Sequence, residues 1–246
     1  MPTSLTWGVA AAVLFGALLH AAGNAPPKPG PDRALATPLL QLMGGVLAVP
    51  LAAFAGLPPA AAWPYIGASV VIHFGYYIAL AGAYRHGDLG LTYPLMRGLG
   101  PMLVALSSAL ALGERLPVLA WLGTVGVSAG VLVLGLSRHA LERPKALAFS
   151  LSNAVLIALY TIVDALGARA AVQAGGDALQ YVCALFLVHG WPFALLVLHR
   201  RGLAVAWPYA RRRGPLVALG AVASMGSYGV ALWGMTRAPG AGGAGP

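Results

Sequence analysis

The chain alternates between long apolar stretches and short polar connectors. A helix needs about 20 mostly apolar residues to cross roughly 30 Å of hydrocarbon, and only helices or closed barrels satisfy their backbone groups there. The alternating ten-residue segments of a barrel are missing from this sequence. The pattern therefore predicts an all-α fold, a polytopic membrane bundle of eight transmembrane helices. They are predicted at residues 5–25, 34–54, 63–84, 91–112, 116–136, 145–167, 178–198 and 215–235.

Positive charge is concentrated in alternate connectors: eleven lysines and arginines fall in the odd-numbered loops and three in the others. Since cytoplasmic loops carry the excess of positive charge, this bias predicts cytoplasmic odd-numbered loops and both chain ends outside. The first six residues hold no lysine or arginine, so the first run is predicted to be a permanent helix rather than a signal peptide. The basic stretch 199–213 is predicted to be a loop that sets topology and has some affinity for anionic lipid.

Composition narrows the class of protein further. Hydrophobic residues make up 59% of the 246 residues and charged residues 9%, with a mean hydropathy of +0.79, which excludes a water-soluble domain. The basic residues lie between apolar runs, so membrane lipid rather than nucleic acid is the predicted partner. One cysteine, Cys183, leaves no disulfide framework or thiolate metal site. Phosphate-loop, zinc and dinucleotide motifs are missing from the sequence, so no metal or cofactor is predicted.

The two halves of the sequence match at fixed offsets. Residues 19–24 align with 159–164, and residues 76–85 align with 228–237. Five runs precede residue 140, so a second copy would enter the membrane from the opposite face, which predicts an inverted repeat. The predicted domains are a first repeat of five helices at 1–140 and an incomplete second repeat at 141–246. The second has three helices and a disordered Gly/Pro-rich tail after Arg237.

Polar residues inside the runs are the candidates for substrate contact, because burying them in hydrocarbon is costly and they face the bundle interior or a wet cavity. Arg97 is the strongest candidate. Pro101 has no N–H for the carbonyl of Arg97, and with Pro94 and nearby glycines it predicts an interrupted helix that marks a substrate site. A guanidinium beside freed carbonyls suits a carboxylate or phosphate group. The alternative is that Arg97 snorkels or pairs with a buried acid such as Asp164.

The other candidates come in helical pairs and aromatic groups. His20 and Asn24 share a helix face, as do Tyr160 and Asp164, and the inverted repeat would place the two pairs at equivalent sites around a central cavity. His73, Tyr76 and Tyr77 share the third run, and Tyr228 matches Tyr76. Interhelical hydrogen bonding and aromatic packing are the alternatives for these residues. The predicted substrate-binding set is Arg97, Tyr93, His20, Asn24, Tyr76, Tyr160, Asp164 and Tyr228.

Residues 126–130, GVSAG, fit the G-x-S-x-G pattern of a hydrolase nucleophile, with Ser128 acting beside His73 or His189. That motif needs a strand-turn-helix elbow, whereas this one lies in a predicted helix, where small residues four apart favour close helix packing. An enzyme is therefore not predicted. An intramembrane hydrolase and a structural membrane protein without transport are the alternative functions.

Three segments resemble the EamA-like transporters of the drug/metabolite transporter superfamily: residues 19–24 (LHAAGN), 93–101 (YPLMRGLGP) and 112–115 (LGER). The resemblance implies ten helices in two inverted five-helix repeats around a central cavity, in a multi-pass protein of the bacterial inner membrane. It implies secondary transport of a small organic metabolite, uptake or efflux, by alternating access, and Arg97 favours an anionic or zwitterionic one. By this resemblance we expect the counterparts of the family's ninth and tenth helices to be missing. We therefore expect a truncated chain whose transport is impaired, or is recovered by pairing in a homodimer.

Overall fold

The computed structural model describes residues 8, 11, 12, 14–18, 33–111, 116–135 and 142–237. Within these ranges every regular element is a helix and no strand occurs. Gly8 and residues 14–18 are helical, and a short 3-10 helix covers Ala60–Ala62. The longer helices are α1 (Arg33–Ala55), α2 (Trp63–His86), α3 (Leu89–Ala111), α4 (Val118–Gly135), α5 (Pro144–Gln173), α6 (Ala178–Arg201) and α7 (Leu203–Arg237).

Five helical segments of the described chain are long and apolar enough to cross a membrane. They are Thr37–Ala55, Ala60–His86, Pro144–Gln173, Ala178–Arg201 and Leu203–Thr236. α4 contains a shorter apolar stretch, Val118–Val133. The prediction of an all-helical protein is confirmed for the described residues, and five of the helical segments have the length and composition of membrane spans. The number of eight spans and the inverted repeat stay predictions, and the tail after Arg237 lies outside the described residues.

Two expectations about local structure are wrong. The basic stretch 199–213 is not a loop, because α6 continues to Arg201 and α7 begins at Leu203 and runs through the arginines at 211–213. Arginine is a good helix former, so the arginines do not end the helix. Their charge restricts only which part of the helix can enter hydrocarbon. α3 is not interrupted either: it continues across Pro94 and Pro101. Each proline removes one backbone hydrogen bond, and the other turns keep theirs.

The described helices form two compact units. We call residues 71–164 the central unit and the residues before and after it the terminal unit, after their positions in the sequence. α2 and α5 contribute to both, since the division falls after Val70 in α2 and after Asp164 in α5. α3 and α4 thus belong to the central unit, and α1, α6 and α7 to the terminal unit. The predicted repeats, 1–140 and 141–246, stay a prediction.

The terminal unit has an apolar core. Its main cluster joins buried side chains of α1, α2, α5, α6 and α7, with Tyr181, Leu185 and Leu232 among the most deeply buried. Packing between α1 and α6 is so close that a Cβ added at Gly190 would lie 2.6 Å from the carbonyl oxygen of Gln41. Because protein interiors are close-packed, this contact leaves no room for a larger residue at that position.

One polar side chain joins two helix ends in the terminal unit. Asp177 and Gln180 form a capping box at the start of α6, in which each side chain accepts a hydrogen bond from the other residue's backbone N–H. The Nε2 of Gln180 also donates to the carbonyl of Ala55, the last residue of α1, at 2.9 Å. The start of α6 is thereby tied to the end of α1.

Candidate functional site

The site is built on the pairing of α2 with α5 in the central unit. As residue numbers rise along α2, those of its neighbours on α5 fall, so the two helices are antiparallel. The neighbouring pairs are His73 with Tyr160, Gly75 with Leu156, and His86 with Phe149. Asn153, only 1% exposed, donates its Nδ2 to the carbonyl oxygen of Tyr76 at 3.0 Å. This hydrogen bond links the two helices next to the aromatic groups.

Four aromatic rings form a cluster between these helices: His73, Tyr76, Tyr77 and Tyr160. The three on α2 are spaced i, i+3 and i+4, which places them on one helix face. His73 stacks on Tyr160 with ring centroids 4.3 Å apart, and Tyr76 meets Tyr160 edge-on at 5.8 Å. Tyr77 lies edge-on to Tyr76 at 5.1 Å. Such edge-to-face and stacked pairs are favourable, so the cluster is a defined arrangement of three phenols and an imidazole.

Arg97 of α3 lies beside this cluster. Its guanidinium carbon is 5.9 Å from the ring centroid of Tyr93, one helical turn earlier, at cation–π distance. Tyr76 and Tyr160 lie within electrostatic range of the same charge. Among the described residues, no carboxylate lies within ion-pairing distance of Arg97. The alternative in which Asp164 neutralises this arginine therefore has no support from the geometry.

The backbone of α3 offers acceptors near the same charge. Pro101 has no N–H, so the carbonyl of Arg97 lacks its helical donor, and Pro94 has the same effect on the carbonyl of Gly90. The helix begins at a well-formed cap, in which the backbone N–H of Leu91 donates to Asp88 Oδ1 at 3.1 Å. α3 thus has a capped N-terminus, and it lacks one backbone hydrogen bond at each of the two prolines near Arg97.

The remaining predicted residues have different positions. Asp164 is fully buried one turn beyond Tyr160 on α5 and interacts electrostatically with its phenol. Tyr228 belongs to the terminal unit, where its ring lies 6.2 Å from that of Phe186. His20 and Asn24 lie outside the described residues.

The predicted set omits three side chains that complete the cluster. His73 and Tyr77 could have been included, because their spacing from Tyr76 places all three on one helix face. Asn153 gave a weaker signal, as a single polar residue in an apolar run. Its hydrogen bond to α2 could not be predicted, because it forms only when α5 packs against α2.

Comparison of the chain with family models, with characterised proteins and with solved structures finds no match. The resemblance to the EamA-like transporters therefore stays an expectation.

Ser128 gives the hydrolase alternative no support. It lies inside α4, and its buried Oγ has no hydrogen-bond partner among the described residues, so neither His73 nor His189 is placed to activate it. A Cβ added at Gly126 or Gly130 would meet nothing within 4 Å. The expectation that these glycines bring helices together is wrong for the described part of the chain, because small residues permit close approach without causing it.

Proposed function

We propose that this protein is a secondary transporter that moves a small anionic or zwitterionic organic metabolite across a membrane by alternating access. The observation that carries the proposal is the position of Arg97, a partly buried guanidinium that is surrounded by tyrosines and has no ion-pair partner among the described residues. A charge inside an apolar helix bundle is costly, and such residues commonly mark substrate paths. An anionic substrate would supply the missing negative charge.

The chemistry of the neighbouring groups indicates how a substrate would be held. The planar guanidinium of Arg97 can donate two parallel hydrogen bonds to a carboxylate or phosphate group. The phenols of Tyr76 and Tyr160 can donate to a further oxygen of the same group. The carbonyl freed by Pro101 can accept from an ammonium group. Such a site suits a zwitterion such as an amino acid as well as a simple anion.

Two further features support transport over a static scaffold. Five segments have the length and composition of membrane spans, and α3, which carries Arg97, lacks two of its backbone hydrogen bonds. Backbone carbonyls that lack a helical donor coordinate bound groups in secondary transporters. The resemblance to EamA-like transporters agrees with this proposal. It extends the proposal to a multi-pass protein of the bacterial inner membrane that pairs with a second copy.

The test is uptake of labelled alanine, glutamate, succinate and glycerol phosphate into vesicles that contain the purified chain, against empty vesicles. We expect uptake of at least one of these solutes. Arg97→Gln should abolish that uptake, and Arg97→Lys should weaken it because the charge remains while the fork geometry is lost.

Arg169→Gln is the matched control. Arg169 is also a partly buried arginine and lies in the apolar helical segment Pro144–Gln173, but its Nε and Nη2 donate to the carbonyl of Met235 at 3.3 and 3.2 Å. We expect this variant to keep the affinity of the parent for the transported solute. Uptake unchanged in Arg97→Gln would remove Arg97 from the site, and no uptake of any charged solute by folded protein would contradict transport.

A further inference from the structure

The turn between α6 and α7 has an open apolar groove. Gly202 alone separates the two helices, with a φ of 82°, a left-handed conformation that favours glycine. The groove has a volume of about 360 Å³ and is lined by Leu195, Leu198, His199, Gly202 and Leu203. This volume is at the low end for a small-molecule pocket, and the open shape suits part of an extended apolar chain better than an enclosed compact ligand.

Arginines lie close to this groove in the sequence. Residues 199–213 contain five arginines and no acidic residue. Arg200 and Arg201 end α6 directly at the groove, and the arginines at 211–213 follow two to three turns into α7; all five are exposed. A cluster of four to eight basic residues at the end of a membrane span is the pattern that attracts anionic lipid.

The first turns of α7 have two apolar faces, one packed against α1 and one exposed. Ala206, Tyr209 and Ala210 pack on the buried side chains Leu35 and Leu39 of α1. In contrast, Leu203 is 72% exposed and Trp207 is 66% exposed. These two residues are four apart, so they lie on one face of the helix. An exposed tryptophan near arginines is typical of the boundary between hydrocarbon and headgroups.

α7 is longer than a membrane span requires. Its 35 residues extend about 52 Å, whereas the hydrocarbon is roughly 30 Å thick. The apolar part after Pro215 is sufficient to cross it. The turns from Leu203 to Arg213 are therefore left for the interface, at the level where phosphate groups lie.

We propose that the α6–α7 turn is a binding site for an anionic phospholipid. The guanidinium groups of Arg200 and Arg201 hold the headgroup phosphate, and an acyl chain starts in the groove against Leu198 and Leu203. Trp207 and the arginines at 211–213 contact the surrounding anionic surface. The positive charge of the arginines favours an anionic ligand. The apolar lining of the groove favours a lipid over a free anion. The inference does not depend on transport.

The test uses the purified chain in detergent with an equimolar mixture of phosphatidylglycerol and phosphatidylcholine, and native mass spectrometry counts the lipids retained. We expect phosphatidylglycerol to be retained preferentially. The double variant Arg200→Gln/Arg201→Gln should lower its retention about 30-fold, at the contribution per arginine typical of anionic membrane surfaces. Leu203→Gln tests the groove and should also lower retention. The control is Arg85→Gln/Lys145→Gln, which removes two exposed charges elsewhere and should retain the lipid.

Three results would overturn the proposal. Equal retention of the two lipids would show that charge does not select the ligand. Retention by the Arg200→Gln/Arg201→Gln variant equal to that of the charge-matched control would show that the site is elsewhere. Displacement of phosphatidylglycerol by millimolar glycerol phosphate, with no effect of Leu203→Gln, would show a site for free phosphate groups. Circular dichroism of each variant establishes that it is folded.

Discussion

Among the described residues, the two units bury different kinds of side chain. The main core cluster of the terminal unit is apolar and draws on five helices, whereas the apolar cluster of the central unit has three buried members, Leu91, Leu95 and Ala146. The central unit instead buries a set of polar groups: His73, Thr92, Ser128, Ser150, Asn153 and Asp164. Polar interiors are costly in a membrane and are commonly functional. The terminal unit buries fewer polar side chains, Ser69, His189 and Ser227. Under the proposed function, the central unit is therefore the one that contacts the substrate.

The two buried histidines of the described chain, His73 and His189, also differ between the units. His189 in the terminal unit lies with its Nδ1 3.1 Å from the carbonyl oxygen of Leu185 on its own helix, and its ring meets Phe186 edge-on at 5.1 Å. His73 in the central unit has tyrosine rings as neighbours, and the charge of Arg97 lies near those tyrosines. The two buried histidines therefore differ in their neighbours: His189 contacts its own helix and a phenylalanine, whereas His73 contacts tyrosines.

The largest expected effect is on folding, at the closest packing of the terminal unit. Gly190→Val would place side-chain atoms against the backbone of α1, where even a Cβ is 2.6 Å from Gln41 O. Overpacking of this kind costs about 1–3 kcal/mol or more. We expect little monodisperse protein from this variant in size-exclusion chromatography. Gly126→Val in the central unit is the control, since a Cβ there meets nothing within 4 Å. Equal yields of the two variants would contradict the difference in packing.

The next largest expected effect is a loss of stability, without a loss of solute affinity, when Arg169 is replaced. Arg169→Gln removes two guanidinium donors to the carbonyl of Met235 in the terminal unit. Hydrogen bonds from charged groups contribute about 1.5–3 kcal/mol, so the thermal unfolding midpoint should fall. The affinity for the transported solute should stay that of the parent when measured below the unfolding temperature. A loss of affinity in a variant with normal stability would place Arg169 in the binding site and weaken the contrast between the units.

The smallest effect concerns two tyrosines at positions that the predicted repeat makes equivalent. Tyr76→Phe removes a phenol next to Arg97 and should weaken solute binding by up to about tenfold, the range for one hydrogen bond. Tyr228→Phe alters a ring that packs on Phe186 and on the apolar core, and should leave binding unchanged. Equilibrium binding of the same solute to both variants makes the comparison. Equal losses would mean that both tyrosines contribute to binding.

Helix positions could be predicted because membrane helices must be apolar over a known length. The predicted runs 34–54 and 178–198 correspond closely to α1 and α6. The start of α7 at Leu203 could not be predicted in this way, because hydropathy reports where a helix enters hydrocarbon and not where its backbone becomes helical. Pro94 and Pro101 likewise weaken α3 without ending it.

The sequence predicts which candidate residues share a helix face, but it does not predict the contacts between helices. The spacing along α2 and the polar character of Arg97 point to residues that lie close together in the structure, since both are properties of the local sequence. The stacking of His73 on Tyr160 and the hydrogen bond from Asn153 depend on the pairing of α2 with α5. That pairing is decided by packing over many residues, which no local pattern records.

The central claim is that Arg97 binds the negative charge of the substrate, and the most direct measurement compares two ligands. Dissociation constants are determined for a transported carboxylate and for its uncharged carboxamide analogue, with the parent protein and with Arg97→Gln. We expect the variant to bind the carboxylate about 10- to 100-fold more weakly, as for loss of a charge-assisted hydrogen bond, and to bind the carboxamide as the parent does. An equal loss for both ligands, or no loss for the carboxylate, would contradict the claim.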